Sequence, residues 1–208
     1  MLDETRKQEK RERILEAAAR VFAMRGYNRT LIANIAAQAG VGKGTVYEYF
    51  DSKADLFFAV FEWFNDQLAT KALVQIQDLE GPAAKRLKVL INSLTSAFVE
   101  IEDLYSLVME FWAATASSDM RRRLGEEFRR IYDDYRRLIA GLIQEGITRG
   151  EFRSDLNVES VAAGLVGALD GIFLQAWFDD NIAPVPLARN FLDSVIRGLL
   201  FRTEGGEG

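Results

Sequence analysis

The chain has 208 residues, 49% apolar and 27% charged, which is long enough for one domain of about 100 to 150 residues and a smaller companion. Its 14 Phe, 6 Tyr and 3 Trp against 3 Pro exclude a disordered or collagen-like chain. Because it has no Cys and no His, disulfides, thiolate metal sites, Cys nucleophiles and the commonest general base are excluded. We therefore predict no cofactor, no metal and no enzymatic activity.

The net charge of −5 is distributed unevenly. Residues 1–53 carry 10 Lys and Arg against 7 Asp and Glu, whereas residues 54–208 carry 16 against 24. A basic N-terminal domain, residues 1–53, is therefore predicted to precede an acidic domain, residues 54–208. No uncharged apolar run approaches the roughly 20 residues that cross a bilayer, and no apolar signal segment follows the charged N-terminus, so we expect a cytoplasmic protein without a membrane partner.

Apolar residues recur at helical spacing throughout, which predicts an all-α fold of about nine helices. The first helix ends at Gly26, because a glycine just past the apolar stripe supplies a left-handed cap. Thr30 is expected to cap a second helix of about ten residues, which ends at Gly40. A third short helix spans roughly Lys43 to Tyr49.

Ser52 and Asp55 form the pattern of a capping box, which predicts the start of a long fourth helix. That helix is expected to end near Leu79. Gly81-Pro82 then breaks the chain and opens the fifth helix, which is predicted to end near Glu102.

A sixth helix, Leu104 to Ala114, is apolar on nearly every side and must be largely enclosed. The seventh, about Asp119 to Arg149, has one apolar face and one face that alternates Arg with Asp and Glu. We expect ion pairs four residues apart on that solvated face, between Arg122 and Glu126, Arg123 and Glu127, and Asp133 and Arg137.

Asn157 is the predicted cap of an eighth helix that runs to about Asp179. Pro186 is expected to open a ninth, which fades near Arg202. Residues 205–208 are predicted to be disordered.

The second and third helices have the pattern of a helix-turn-helix, since two short helices join through a turn that contains Gly40. Ala36 allows a close crossing, and the predicted apolar seam consists of Ile35, Ala39, Val41 and Val46. Opposite the seam the third helix presents long donors and hydroxyls that suit the major groove of DNA, namely Lys43, Thr45, Tyr47 and Tyr49.

Several spaced features of this region resemble the N-terminal domain of TetR-family transcriptional repressors over about residues 10–60. They are Gly26-Tyr27, the run from Thr30 to Val41, the run from Gly42 to Phe50 with its Tyr-x-Tyr-Phe ending, and Ser52-Lys53. The resemblance implies a DNA-binding role for seven of these positions. Thr30 and Lys53 would hold phosphates, Lys43, Gly44 and Thr45 would face bases, and Tyr47 and Tyr49 would contact the backbone or thymine methyls.

One position departs from the family pattern. Gly42 stands where many relatives carry a capping Ser or Thr, so no hydroxyl is available there for a phosphate. Two interpretations of the cationic start of the first helix remain open: it is a solvated helix end, or an N-terminal arm that reaches DNA. Its cations are Arg6, Lys7, Lys10, Arg11 and Arg13.

The remaining helices agree with the ligand-binding and dimerisation domain that the resemblance implies. The stretch from Ala168 to Ile172 is also similar to one found in the betaine-regulator and fatty-acid-regulator branches of the family. The small residues of the eighth helix predict close backbone approach, either in a homodimer or within the chain; they are Gly164, Gly167, Ala168 and Gly171. In the dimer, the ninth helix would contribute Phe191, Val195, Ile196 and Leu199.

Large apolar side chains of the fourth to eighth helices are candidate walls of a ligand cavity, although each could equally belong to a plain core. They are Trp63, Phe64, Phe98, Tyr105, Met109, Trp112, Tyr135, Phe173 and Trp177. Glu110 and Asp170 interrupt apolar runs, and a buried carboxylate without a partner is costly. Each could pair with an Arg, hydrogen-bond across a dimer, or receive a cationic or hydroxylated ligand.

Together these features predict a homodimeric repressor that binds a near-palindromic DNA operator and leaves it when a mostly apolar small molecule binds. An activator and a ligand-independent DNA-binding protein of the same fold are the alternatives. An enzyme is the least favoured class, because no catalytic constellation is present.

Overall fold

A computed structural model describes residues 2–74, 79–99, 105–116 and 118–200. These residues form nine helices and one isolated bridge between Phe152 and Leu200, which confirms the all-α prediction. The helices are α1 (Leu2–Arg29), α2 (Ile32–Ala39), α3 (Lys43–Tyr49), α4 (Lys53–Val74), α5 (Ala83–Val99), α6 (Tyr105–Ala114), α7 (Ser118–Thr148), α8 (Val158–Phe178) and α9 (Pro184–Leu199).

The chain divides into two compact units. The first unit comprises Met1–Gln67 and Ile101–Glu127, and the second comprises Leu68–Glu100 and Phe128–Gly208. Helices α4 and α7 contribute residues to both. The segment predicted to bind DNA, residues 1–53, lies wholly in the first unit.

An aromatic core joins α1, α4 and α6 in the first unit. The ring of Phe111 in α6 lies 4.8 Å from that of Phe57 and 4.9 Å from that of Phe61, both in α4. Phe57 in turn meets Phe22 of α1 edge-on at 5.0 Å. Edge-on and tilted contacts at these distances are favourable for aromatic rings, so this core stabilises the packing of α1, α4 and α6.

Of the two predicted glycine helix ends, the one at Gly40 is confirmed and the one at Gly26 is not. Gly26 interrupts α1 with φ 72° and ψ 159°, which is not the left-handed helical conformation, and one further turn follows to Arg29. Gly40 ends α2 in the left-handed conformation, φ 65° and ψ 37°, and the next amide, that of Val41, donates to the carbonyl of Ala36 at 3.0 Å. A side chain at either glycine would be strained.

The predicted cap at Thr30 is wrong. Leu31 is the N-cap residue of α2, and its own amide donates to Oδ1 of Asn34 at 3.3 Å. Thr30 is fully buried, and its hydroxyl donates to the carbonyl of Gly26 at 2.8 Å. The hydroxyl is therefore not the cap of α2. The capping box of α4 is confirmed by the 2.7 and 3.1 Å hydrogen bonds between Ser52 and Asp55.

Some predicted boundaries differ from the structure. Helix α4 is described to Val74 and Leu79 is not helical, while α9 begins at Pro184, two residues before Pro186, because Pro184 takes the first turn. The predicted boundaries near Glu102, Leu104 and Arg202, and the C-terminal residues 205–208, lie outside the described residues.

The predicted pair of Asp133 with Arg137 is wrong. Asp133 pairs with Arg136 and Asp134 with Arg137, both three residues apart. Arg123 also pairs with Asp55 of α4, at 2.6 Å.

The second unit has a core built from α5, α7, α8 and α9. Gly146 of α7 allows the ring of buried Phe152 to pack directly against the helix, since a Cβ at this position would lie 2.3 Å from that ring. Ile196 and Leu199 are each 4% exposed within this core, so their predicted place on a dimer surface is wrong.

Candidate nucleic-acid interface

The outer face of α3 is open to solvent. Lys43 and Gly44 are exposed, Tyr47 is 46% exposed, and Thr45 and Tyr49 are half-buried. The ammonium of Lys43 lies 5.9 Å from the ring centroid of Tyr47, so the two side chains are neighbours. These five predicted DNA contacts therefore lie on one short helix, while its inner face is anchored by residues that are at least 94% buried, Val46 and the following Phe50.

The other two predicted contacts are engaged within the chain. The hydroxyl of Thr30 is buried against Gly26, as described above. The ammonium of Lys53 donates to the carbonyls of Tyr27, Thr30 and Asn28 at 2.9, 3.2 and 3.4 Å, and it lies 4.4 Å from the Tyr27 ring centroid. These donors hold residues 26–30, which are the last turn of α1 and the following Thr30 and which we call the link segment.

The cationic start of α1 is helical from Leu2. Lys7, Lys10 and Arg11 lie seven, four and three residues before Ile14, so they share the helix face on which Ile14 is fully buried. The guanidinium of Arg11 lies 5.6 Å from the ring centroid of Phe50, at the end of α3. The start of α1 thus presents cations on the side of the helix-turn-helix.

Asp55 and Arg123 fasten α4 to α7 within the first unit. The Arg123 guanidinium, with help from the Ser52 hydroxyl, holds the pKa of the Asp55 carboxyl below its ordinary value. The same guanidinium lies 3.8 Å from the ring centroid of Phe58. Ion pairing and cation–π contact therefore act together at the start of the helix that follows the reading helix.

Glu110, whose role the sequence left open, is bound to the link segment. Its Oε2 accepts a hydrogen bond from the Tyr27 amide at 2.9 Å. Ser106, one turn earlier in α6, donates to the carbonyl of Ala23 at 3.1 Å. Helix α6 thus contacts the chain on both sides of Gly26.

The candidate ligand-cavity residues fall in both units. Trp63, Phe64, Tyr105, Met109 and Trp112 belong to the first. Phe64 and Tyr105 are buried. The ring of Phe64 lies 6.3 Å from that of Phe111 in the aromatic core, so Phe64 fits the alternative of a core residue better than that of a cavity wall. Trp63, Met109 and Trp112 are half-buried.

In the second unit, Tyr135 and Phe173 are half-buried and Trp177 is 44% exposed. Burial, with a smaller effect of Asp134, raises the pKa of Tyr135 to about 12. The side chain of the ninth candidate, Phe98, lies outside the described residues.

Asp170 is a half-buried carboxylate on the apolar helix α8. Desolvation raises its pKa, and a hydrogen bond from Tyr132 partly offsets that effect. The Tyr132 hydroxyl is therefore one partner that the sequence did not identify.

The small-residue face of α8 is open. Around Gly164 and Gly167, no atom of the described residues lies within 4 Å of where a Cβ would be, apart from immediate neighbours and the helix backbone. Helix α8 is long and apolar enough to cross a membrane by length and composition alone. Of its most apolar window, 22% is buried inside the chain. Large apolar side chains are also exposed at the end of α8 and on α9: Trp177, Phe178, Leu187 and Phe191.

A basic N-terminal segment with two short helices crossing at a glycine turn, one presenting an open polar face, defines a helix-turn-helix DNA-binding protein. Residues 14–60 match the family model of bacterial regulatory proteins of the tetR family, and residues 83–200 match that of the BetI-type transcriptional repressor, C-terminal. The chain belongs to the TetR family and has a BetI-type C-terminal domain. It is a ligand-binding transcriptional repressor, not an enzyme.

Curated and solved relatives extend this assignment over nearly the whole chain. The fatty acid metabolism regulator protein of Bacillus subtilis is 26% identical over 93% of this chain and 97% of its own. A putative transcriptional regulator of Saccharomonospora viridis, solved with choline, is 26% identical with TM-score 0.80 and covers 94% and 100%. FadR of Bacillus subtilis, solved with stearoyl-CoA, is 25% identical with TM-score 0.76 and covers 90% and 98%.

Proposed function

We propose that the chain, as a homodimer, represses transcription by binding a near-palindromic operator and is released by a mostly apolar small molecule. The carrying observation is the open face of α3, on which Lys43, Gly44, Thr45, Tyr47 and Tyr49 are grouped. As a regulator of bacterial transcription it would act in the cytoplasm.

The proposed DNA contacts differ in function along the interface. Lys43 and Thr45 suit base edges in the major groove, since Lys and Thr donors hydrogen-bond to bases there. Lys7 and Lys10 of α1 suit phosphates, because they lie on the side of the helix-turn-helix and α1 extends beyond the buried core. We leave the Thr30 hydroxyl and the Lys53 ammonium out of the interface, because intrachain carbonyls already engage them.

The proposed dimer uses the surface formed by α8 and the start of α9. A glycine in a helix interior costs about 1 kcal/mol relative to alanine. At Gly164 and Gly167, no close contact with the part of the chain that the structure describes offsets this cost. Close approach of a second copy would offset this cost. It would also cover Trp177, Phe178 and Phe191, which are exposed in a single chain.

Two observations support the proposed effector. The candidate cavity residues are mostly aromatic or apolar, and two relatives were solved with a bound small molecule. One of those relatives was solved with stearoyl-CoA and the other with choline. An acyl chain suits walls that carry Trp63, Met109 and Trp112. A quaternary ammonium suits aromatic rings.

The test works without knowing the operator sequence. Wild-type protein is used to select duplexes from a random 40-base-pair library, and the enriched duplex is then titrated with acyl-CoAs of increasing chain length and with choline. We expect one probe to change Trp fluorescence and release the duplex over the same concentration range. A probe that binds to saturation without weakening the duplex, or a panel in which nothing binds, would overturn the proposed effector class.

The control variants separate base reading from general binding. Lys43→Ala should lose discrimination between the selected duplex and a scrambled one, at a cost of about 1 to 3 kcal/mol per specific contact. Lys7→Ala with Lys10→Ala should weaken both duplexes alike and reduce the salt dependence. Equal behaviour of the two variants would show that the reading helix is misassigned.

A further inference from the structure

Two charged side chains bind opposite groups of the link segment. The Glu110 carboxylate accepts from the amide of Tyr27, the first residue after the break at Gly26. The Lys53 ammonium donates to carbonyls at the other end of that turn, including that of Thr30. Each charge lies where the dipole of a helical turn favours it, the anion at the amide end and the cation at the carbonyl end.

The glycine at the break makes room for this carboxylate. A Cβ at Gly26 would lie 2.8 Å from Oε1 of Glu110, and its positive φ would strain any other residue. Tyr27 follows Gly26, where the backbone departs from helical conformation. Glu110 supplies an acceptor for the Tyr27 amide from 83 positions away in the sequence.

Helix α6 also carries two of the candidate effector contacts. Met109 and Trp112 lie on either side of Glu110 in the sequence, and both are half-buried. Because a helix moves largely as a rigid rod, a ligand that displaces either side chain also displaces the carboxylate. A hydrogen bond of 2.9 Å is lost when its atoms separate by much more than 0.5 Å, about 3.5 Å being the limit.

We propose that Glu110 is the positioning residue through which α6 sets the orientation of the helix-turn-helix. With the carboxylate on Tyr27, the link segment is fixed at both ends and α2 and α3 have one orientation relative to α1. Without it, the segment keeps the Lys53 ammonium, the buried Thr30 hydroxyl and the packing of the Tyr27 ring on Phe57, but it loses this hydrogen bond to α6. The reading helix then samples other orientations. The effector half of this inference rests on the proposed function, whereas the positioning half concerns DNA affinity alone.

The variants compare three states of one contact, using the duplex selected by the wild type. Glu110→Ala removes the acceptor and should weaken duplex binding at least tenfold. Glu110→Gln keeps an acceptor oxygen at the same reach and should bind within about threefold of wild type. Ser106→Ala is the matched control: it removes the hydrogen bond from α6 to the Ala23 carbonyl, leaves the Glu110–Tyr27 bond in place, and should bind like wild type.

Hydrogen exchange at the Tyr27 amide, followed by NMR, distinguishes positioning from general stability. In the wild type this amide should be protected and should lose protection when the releasing probe, stearoyl-CoA or choline, is added at saturation. In Glu110→Ala it should exchange rapidly with or without the probe, while amides of the α5 core exchange as in wild type. Should Glu110→Ala not fold, the wild-type exchange experiment still decides the matter, because it needs no substitution.

The possible outcomes can be told apart. If neither probe releases duplex from the wild type but Glu110→Ala binds weakly, the positioning role stands and the effector class fails. If a probe releases the duplex while the Tyr27 amide stays protected, the coupling through Glu110 is refuted. If Glu110→Ala binds as tightly as wild type, the positioning role itself is refuted.

Discussion

Lys53 offers a sharp test, because sequence resemblance and structure assign it different partners. The resemblance implies a phosphate contact, whereas the structure directs the ammonium to three carbonyls of the link segment. Lys53→Ala should therefore destabilise the folded protein, not merely weaken its hold on DNA.

The expected loss of stability follows from the contacts that are removed. A hydrogen bond to a charged group contributes about 1.5 to 3 kcal/mol, and a partly exposed cation–π contact about 0.5 to 1 kcal/mol. Only the Tyr27 carbonyl lies at the short distance of 2.9 Å, and water can replace part of the ammonium at this half-buried site. We expect a loss of about 2 to 3 kcal/mol, or about 4 to 12 °C in Tm for a chain of this size.

Thermal unfolding and duplex binding are measured for Lys53→Ala, with Lys43→Ala as the control. Lys43 is exposed on α3, so its removal should leave Tm unchanged and reduce duplex affinity. The structural role of Lys53 would be ruled out by the opposite pattern: an unchanged Tm, with a salt slope lowered by about 0.9 per subunit, would mean that the ammonium holds a phosphate.

Three further predictions concern the second unit. Asp170→Asn should raise Tm at pH 7.5, because burial raises the folded-state pKa of Asp170 and so makes its charged form costly. The gain in Tm should shrink as the pH falls towards about 4, where the carboxyl is protonated. A lower Tm at pH 7.5 would indicate that Asp170 has a cationic partner. Gly146→Ala should cost about 1 to 3 kcal/mol in urea unfolding because of its contact with Phe152, while Gly141→Ala, which meets open space in the same helix, should not destabilise. Gly167→Leu should sediment as a monomer where wild type sediments as a dimer, and a dimeric variant would remove α8 from the interface.

Local signals accounted for much of the first unit. Gly40 ends α2 and the Ser52–Asp55 box begins α4, and both act through backbone conformation and hydrogen bonds within a few residues. Because α3 lies between these two signals, its bounds, Lys43–Tyr49, could be predicted from the sequence. The Thr30 cap failed because its hydroxyl found a buried carbonyl at Gly26, a tertiary alternative that propensity does not show.

The partners of the charged side chains could not be predicted in the same way. Glu110 meets Tyr27 across 83 positions and Arg123 meets Asp55 across 68, so no local spacing reveals either pair. On α9, the apolar stripe showed that Ile196 would be buried but not whether its own chain or a second copy would cover it.

Whether a dimer reads DNA through α3 is decided by the sequences that wild-type protein enriches from the random library. Two reading helices related by a two-fold axis should enrich an inverted repeat whose half-sites are centred about one helical turn apart, roughly 10 base pairs, or a multiple of it. Lys43→Ala should then lose enrichment at defined positions within each half-site. Enrichment of a single unrepeated site, or none above the starting library, would show that no such dimer reads DNA.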